Sequence, residues 1–146
     1  MSDKMINQLS IFLENKTGRL YKALDVLAQS DINIRALSLA DTSDFGILRL
    51  VVNDPEKGKE CLENNNFTVK VTPVVGVQLD DTPGGLSKIL KIVQDNSMNL
   101  DYLYAFTHEK SEKAILLLYT NNLENLIEKL EENNVIIVPA EEVYNL

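Results

Sequence analysis

The spacing of apolar positions along the chain changes in a fixed order. A short, mostly apolar run at residues 7–13 is typical of a strand, and the positions that follow, Leu20, Ala23, Leu24 and Leu27, line one face of a helix. Two further segments then show the spacing of strands, and a second helical pattern follows them. An alternating run of apolar and polar residues ends the first half of the chain. The first half of the chain therefore predicts the order βαββαβ.

The second half repeats both the order and the residues. Gly84 lies 66 positions after Gly18, and Leu130 lies 68 positions after Leu62, so the copies align with one small insertion in the second. Self-similarity over this length is typical of duplicated structural units. The predicted domains are residues 1–72 and 73–146.

Local signals place the elements within each copy. Phe45–Val52 is apolar almost throughout, which predicts a strand at the centre of its sheet. Asp54 and Pro55 form a helix start signal, with Asp54 as N-cap and Pro55 at the first helical position. Pro73 lies between the copies, and so short a linker predicts that the halves pack together. Further strands are predicted at residues 33–40, 67–71 and Val135–Val138.

Antiparallel strands in this order, with helices on one face, form the ferredoxin-like arrangement. The predicted fold class is therefore α+β, with two such units. A single unit of this size has a modest core and open sheet edges, which a second unit can cover.

In each copy the first strand leads through a turn rich in Gly and side-chain oxygens into a helix. Backbone N–H groups at a helix start suit a carboxylate, so we expect these turns to frame a small-molecule site. Asn15 could hold either end of an amino acid, because an amide both donates and accepts. The candidate ligand-binding residues are Asn15, Lys16, Thr17, Gly18, Arg19, Leu20, Asp41, Asp81, Thr82, Pro83, Gly84, Gly85 and Leu86.

Simpler interpretations stand beside these. Asp41 and Asp44 could neutralise an ammonium group or could simply form the hairpin between two strands. Leu20 could seal the core beneath the site. Lys16, Arg19 and Arg35 are interpreted as exposed cations, and Tyr102, Tyr104 and Phe106 share one strand face suited to packing.

Charge and cysteine content narrow the functional classes. The 146 residues carry a net charge of −8 without a basic cluster, which argues against a nucleic-acid partner. No apolar run approaches the ~20 residues that span a bilayer, and no signal peptide opens the chain, so no membrane partner is expected. The single cysteine, Cys61, fits a reducing compartment, and we expect a cytoplasmic protein.

Catalytic and metal chemistry find little support in the sequence. One cysteine and one histidine, His108, do not supply a metal site, and His108 is interpreted as an exposed hairpin residue. Ser10 and Ser38 lack a partner set that would activate them. We therefore expect no cofactor, no metal and no enzymatic activity.

The motifs together resemble the signature of ACT domains, in the form of stand-alone tandem ACT proteins. The residues that carry the resemblance are Asn15, Gly18 and Leu20, Ile32-Asn33-Ile34, Asp54-Pro55-Glu56, Asp81, Gly84 and Leu86, and Met98-Asn99-Leu100. The resemblance implies a regulatory protein that binds an amino acid where two ACT units meet. It also implies allosteric control of a metabolic enzyme and assembly as a homodimer.

Two points stay open at this stage. Asp81 stands where Asn is more typical of the family, and the second copy has a bulkier hairpin at 107–113, so either both turns or only one could bind. An alternative function is a ligand-free interaction subunit that dimerises and holds a metabolic enzyme.

Overall fold

The computed structural model describes residues 2–41, 45–107 and 113–146 of the chain. After a 3-10 turn at Ser2–Lys4, the strands are β1 (Met5–Glu14), β2 (Ile34–Asp41), β3 (Phe45–Val52), β4 (Thr68–Leu79), β5 (Tyr102–Phe106), β6 (Ala114–Tyr119) and β7 (Ile137–Val138). The helices are α1 (Arg19–Gln29), α2 (Pro55–Asn64), α3 (Gly85–Asp95), α4 (Leu123–Glu132) and α5 (Ala140–Tyr144). In the described part of the chain, no helix is long and apolar enough to cross a membrane.

The chain divides into two compact units. The first unit holds residues 7–72 with Asn145, and the second holds residues 1–6, 73–144 and Leu146. The second unit therefore includes the start of the chain. The division into domains at residues 72 and 73 stays a prediction.

In the first unit, β3 pairs antiparallel with both β1 and β2, which confirms its predicted central place. The hydroxyl oxygens of Ser10 and Thr72 lie 3.1 Å apart, where β4 runs beside β1. Leu9 and Leu50 are register partners, and their fully buried side chains join Leu27 of α1 and Leu62 of α2 in one core. Both helices therefore cover the same face of the sheet.

The second unit repeats this plan. Strand β6 pairs antiparallel with β4 and β5, and β7 pairs with β4 on the other side. Val77 and Leu116 are register partners and share a core with Val93 of α3 and Leu126 of α4. The predicted α+β fold class, with two ferredoxin-like βαββαβ units, is confirmed. On the opposite face, the rings of Tyr102, in β5, and its register partner in β6 are stacked, with centroids 5.1 Å apart.

Two boundaries differ from the sequence prediction. Strand β4 runs without a break from Thr68 to Leu79, through Pro73, where a linker was expected. Proline lacks an N–H donor but keeps an extended backbone, so a strand tolerates it where that donor is not needed. At the other end, the predicted strand Val135–Val138 is reduced to Ile137–Val138, because the N–H of Val135 instead donates to the carbonyl oxygen of Leu130 at 3.0 Å, closing α4.

The helix starts follow the local signals. Asp54 caps α2, with its Oδ1 accepting from the N–H of Lys57 at 3.2 Å, as predicted. Gly18 and Gly84 precede α1 and α3 with φ of 90° and 87°, a left-handed backbone in which a Cβ atom is strained. The residues immediately before α1 and α3 therefore share one backbone conformation.

Candidate functional site

In each of the two turns, a backbone hydrogen bond closes the chain just before the helix. The N–H of Arg19 donates to the carbonyl oxygen of Lys16 at 3.2 Å, and the N–H of Gly85 donates to that of Thr82 at 3.0 Å. No side-chain hydrogen bond caps α1 or α3 within the described residues. Because the next amides of a helix have no partner inside it, each turn offers N–H groups to solvent or to a ligand.

An open cavity of about 360 Å³ lies beside the second turn. Its walls come from the end of β4, the start of α3, the start of β6 and the segment between α4 and β7. Its lining consists of Gln78, Asp80, Gly85, Lys88, Ile89, Ile92, Lys113, Asn133, Asn134, Val135 and Ile136. The cavity lies entirely within the second unit.

One side of the cavity is charged. Lys113 Nζ donates to Asp80 Oδ1 at 2.9 Å, and this hydrogen bond, with the charges of Lys113 and Lys88, holds the pKa of Asp80 below its ordinary value. Lys88 is exposed, and among the described residues it belongs to none of the ion pairs. The cavity therefore presents one carboxylate and two cations.

The other side of the cavity is formed by aliphatic and amide side chains. Ile89 is 6% exposed and Ile92 is half-buried, so α3 supplies an apolar wall. Val135 faces the same space from the segment before β7. Asn133 and Asn134 add amide groups that can donate and accept. This combination of an apolar wall and a few polar groups is that of small-molecule sites.

The structure brings only part of the predicted second-copy residues to this cavity. Gly85 lines it, whereas Asp81, Thr82, Pro83 and Gly84 are exposed on the turn and are not part of its lining. Leu86 is 39% exposed and is likewise outside the lining.

The first-copy residues are arranged differently. Asn15, Lys16, Thr17 and Gly18 are exposed, while Leu20 packs against the core of the first unit. Lys16 Nζ lies 2.9 Å from Glu14 Oε2 and lowers the pKa of that carboxyl group.

Arg19 does not match the sequence interpretation of an exposed cation. Its side chain is half-buried, and its Cζ lies 4.3 Å from the centroid of the Phe67 ring. A guanidinium group over an aromatic face at this distance is a cation–π contact. Arg19 is therefore held inside the first unit.

Several remaining candidates fall outside what the structure describes. Asp41 ends β2, but its side chain is not among those described. Asp44 and His108 lie outside the described residues. Among the residues that are described, no group of three or more His, Cys, Asp or Glu side chains could hold a metal ion.

Sequence reasoning missed most of the cavity lining. The sequence distinguished Lys88 only as the repeat of Lys22, and Asn134 only as the repeat of Asn66. Asp80 and Lys113 meet although 33 positions separate them, and no local pattern relates the two. The repeat could have directed attention to Lys88, but not to Lys113.

Comparisons with known proteins agree with the fold. The chain is similar to protein BT0572 of Bacteroides thetaiotaomicron, with 39% identity, 98% of each chain covered and a TM-score of 0.91. It is also similar in fold to the ligand-free regulatory subunit of aspartate kinase from Thermus thermophilus, with 14% identity, 89% of this chain and 93% of that chain covered, and a TM-score of 0.60. No curated protein matches the chain. The family model of the ACT domain pair matches residues 4–146, and the chain belongs to this family.

Proposed function

We propose that the chain is a non-catalytic regulatory protein that binds an amino acid in the cavity of the second unit. The observation that carries the proposal is the open cavity beside the second turn, with Asp80, Lys88 and Lys113 in its lining. Its volume of about 360 Å³ suits a small ligand, since small-molecule sites begin at roughly 300 Å³.

The charges of the cavity complement a zwitterion. Lys88, in the cavity lining, suits an α-carboxylate. Asp80 suits the ammonium group, because Lys113 donates to Oδ1 and a carboxylate can accept several more hydrogen bonds. The ligand's side chain then faces Ile92 and Val135. The protein thus holds both charged ends of an amino acid and leaves an apolar wall for specificity.

Membership of the ACT domain pair family supports a regulatory role. The aspartate kinase chain from Thermus thermophilus, which shares the fold, is a regulatory subunit. A ligand that binds one arrangement of the protein better than another shifts the population toward that arrangement. We propose that this shift, in a cytoplasmic homodimer, controls a metabolic enzyme.

A thermal melt with each of the twenty amino acids tests the proposal. At one hundred times its dissociation constant a ligand adds ~2.7 kcal/mol, which raises the melting temperature of a domain of this size by about 5–10 °C. We expect one amino acid, or a small group of similar ones, to give this shift, and calorimetry should then give the affinity. No shift with any of the twenty would contradict the proposal.

That negative outcome would favour the alternative of a ligand-free interaction subunit. Leu37 and Leu39 of β2 are 51% and 48% exposed, and they occupy the helix-covered face as register partners of Leu50 and Leu48. Exposed aliphatic side chains in a row are typical of a protein–protein contact. The melting experiment separates the two functions, because a contact of this kind does not respond to free amino acids.

Binding should be insensitive to pH until the solution is strongly acidic. Because Lys113 and Lys88 lower the pKa of Asp80, its carboxylate persists below the ordinary aspartate value of about 3.9. A carboxyl group with a lowered pKa contributes stability that is complete above its unfolded pKa and is lost as pH falls through its folded pKa. We expect constant affinity from about pH 7 to 5 and a loss only below about pH 4. Calorimetry at a series of pH values across this range measures the affinity.

Asp80→Asn is the matched variant for the pH experiment. It removes the charge but keeps the shape, so it should bind the amino acid weakly at every pH. An affinity that falls between pH 7 and 5 in the unchanged protein would show that another group holds the ammonium end.

A further inference from the structure

The two copies of the unit differ in what fills the space beside the helix start. In the second unit, Gly85 and Val135 line the open cavity. The repeat pairs Gly85 with Arg19 and Val135 with Phe67 in the first unit. The second copy therefore has a glycine and an aliphatic residue where the first has a long cation and an aromatic ring.

Backbone geometry shows that these positions correspond. Gly18, which precedes Arg19, has a φ of 90°, and Gly84, which precedes Gly85, has a φ of 87°. Asn66, which precedes Phe67, has a φ of 67°, and Asn134, which precedes Val135, has a φ of 61°. These φ values show that the two pairs of positions correspond, although the turns differ: in the second unit the carbonyl oxygen of Asp80 packs against Gly85.

In the first unit, the Arg19 side chain crosses this space. Its Cζ lies 4.3 Å from the centroid of the Phe67 ring, and Phe67 is only 4% exposed. Its counterpart Val135 is half-buried on the wall of an open cavity. The guanidinium group therefore stands against the surface that a ligand would contact in the second unit.

The helix face beneath this space shows the same difference. Val26 of α1 is 8% exposed, whereas its counterpart Ile92 of α3 is half-buried and lines the cavity. Both side chains are β-branched and occupy the same helical position, so their surroundings, and not the helix itself, account for the difference in exposure.

The contact that holds Arg19 is not fully satisfied. Its Nε is buried and, in the described part of the chain, has no hydrogen-bond partner. A buried donor without a partner is unfavourable and offsets part of the cation–π attraction. Replacing Arg19 should therefore open the space without unfolding the unit.

We propose that Arg19 closes the first copy of the site from within, so that each chain has one open amino-acid site, in the second unit. The closure itself is independent of the proposed function, while the count of bound ligands rests on it. This assignment resolves the question that the duplicated turns leave open, namely whether both bind or only one does.

Thiol labelling tests the closure without any amino acid. In a Cys61→Ser background, Val26→Cys and Ile92→Cys place one thiol at the equivalent position of each unit. The probe is methyl methanethiosulfonate, a small neutral reagent. We expect Ile92→Cys to react about tenfold faster than Val26→Cys, because the proposed closure leaves Val26 accessible only when the contact between Arg19 and Phe67 opens. Adding Arg19→Gly should raise the Val26→Cys rate close to that of Ile92→Cys.

Two further variants make the result decisive. Lys16→Ala removes an exposed cation of the same turn and should leave the Val26→Cys rate unchanged. Arg19→Ser should raise the Val26→Cys rate as Arg19→Gly does. Agreement between the two variants shows that the effect comes from the loss of the arginine side chain. The closure is overturned if Val26→Cys already reacts as fast as Ile92→Cys with Arg19 present, or if neither Arg19 variant accelerates it.

Stoichiometry then links the closure to the proposed function. With the amino acid that raises the melting temperature most, calorimetry should give one bound ligand per chain, and the double variant Arg19→Gly, Phe67→Val should give two. Two ligands bound by the unchanged protein would overturn the closure and leave the proposed function standing. No binding at all would contradict the proposed function, and the labelling rates would still decide the closure.

Discussion

Lys88→Glu is expected to weaken amino-acid binding by at least about a hundredfold, the largest effect of any single surface change in the protein. The substitution places a second carboxylate beside Asp80 and removes the cation proposed to hold the ligand's α-carboxylate. Removing one partner of a hydrogen-bonded charge pair that the bound ligand shields from water costs roughly 2–5 kcal/mol, and each 1.4 kcal/mol changes affinity about tenfold. Calorimetry with the amino acid found by thermal melting measures the change.

Lys91→Glu is the matched control. Lys91 lies on the same helix and pairs with Asp95 at 3.1 Å, but it is not part of the cavity lining. Its reversal changes the net charge of the chain by the same amount and should alter affinity less than about threefold, because exposed charges at a distance are screened. Equal losses in the two variants would show that affinity follows overall charge, which would contradict the cavity as the site.

Much of the fold was predictable because it depends on local backbone chemistry. Gly18 and Gly84 mark left-handed turns, Asp54 marks a helix start, and the periodicity of apolar residues marks the faces that become two cores. Each of these signals acts within a few residues of chain. The repeat added the order of elements, because two copies with the same pattern constrain each other.

The strand ends that differ from the prediction depend on neighbouring elements. Pro73 is a strong local signal for a break, yet the extended backbone of β4 continues through it. Val135 has strand propensity, but its N–H is used to close α4. Local preference is a weak constraint where a competing hydrogen bond or an adjacent strand decides the backbone.

The candidate site was predictable only in its location. The Gly-rich turn indicated where a ligand could approach, and Gly85 does line the cavity. The groups that give the cavity its charge, Asp80 and Lys113, meet through tertiary structure. Arg19 and Phe67 were both visible in the sequence, but nothing in it showed that one covers the other. Whether a duplicated turn is open or filled is decided by side-chain packing.

This contrast explains how two similar backbones acquire different functions. A left-handed glycine and a helix start are shared by both units, so neither feature distinguishes a binding turn from a structural one. The difference lies at the residue after the glycine, which is Arg19 in one unit and Gly85 in the other. Arg19 extends a long side chain against Phe67, whereas Gly85 extends none into the cavity and packs against the carbonyl oxygen of Asp80.

Gly85→Ala is expected to produce the second large effect, a loss of stability together with a loss of binding. A Cβ atom at this position would overlap the carbonyl oxygen of Asp80, so the turn between β4 and α3 has to move. Steric strain of this kind costs about 1–3 kcal/mol, which lowers the melting temperature by several degrees. Because Asp80 moves with the turn, affinity should fall at least about tenfold.

Gly18→Ala separates these two consequences. It strains a left-handed backbone in the first unit by about 1–2 kcal/mol, although its Cβ would meet no atom within 4 Å. It should therefore lower the melting temperature to a similar extent while leaving affinity unchanged, since the first copy is closed by Arg19. If Gly85→Ala also lost stability but kept its affinity, the ligand would have to bind away from the second turn. Melting and calorimetry on the two variants, compared at equal loss of stability, distinguish a damaged site from a merely weakened fold.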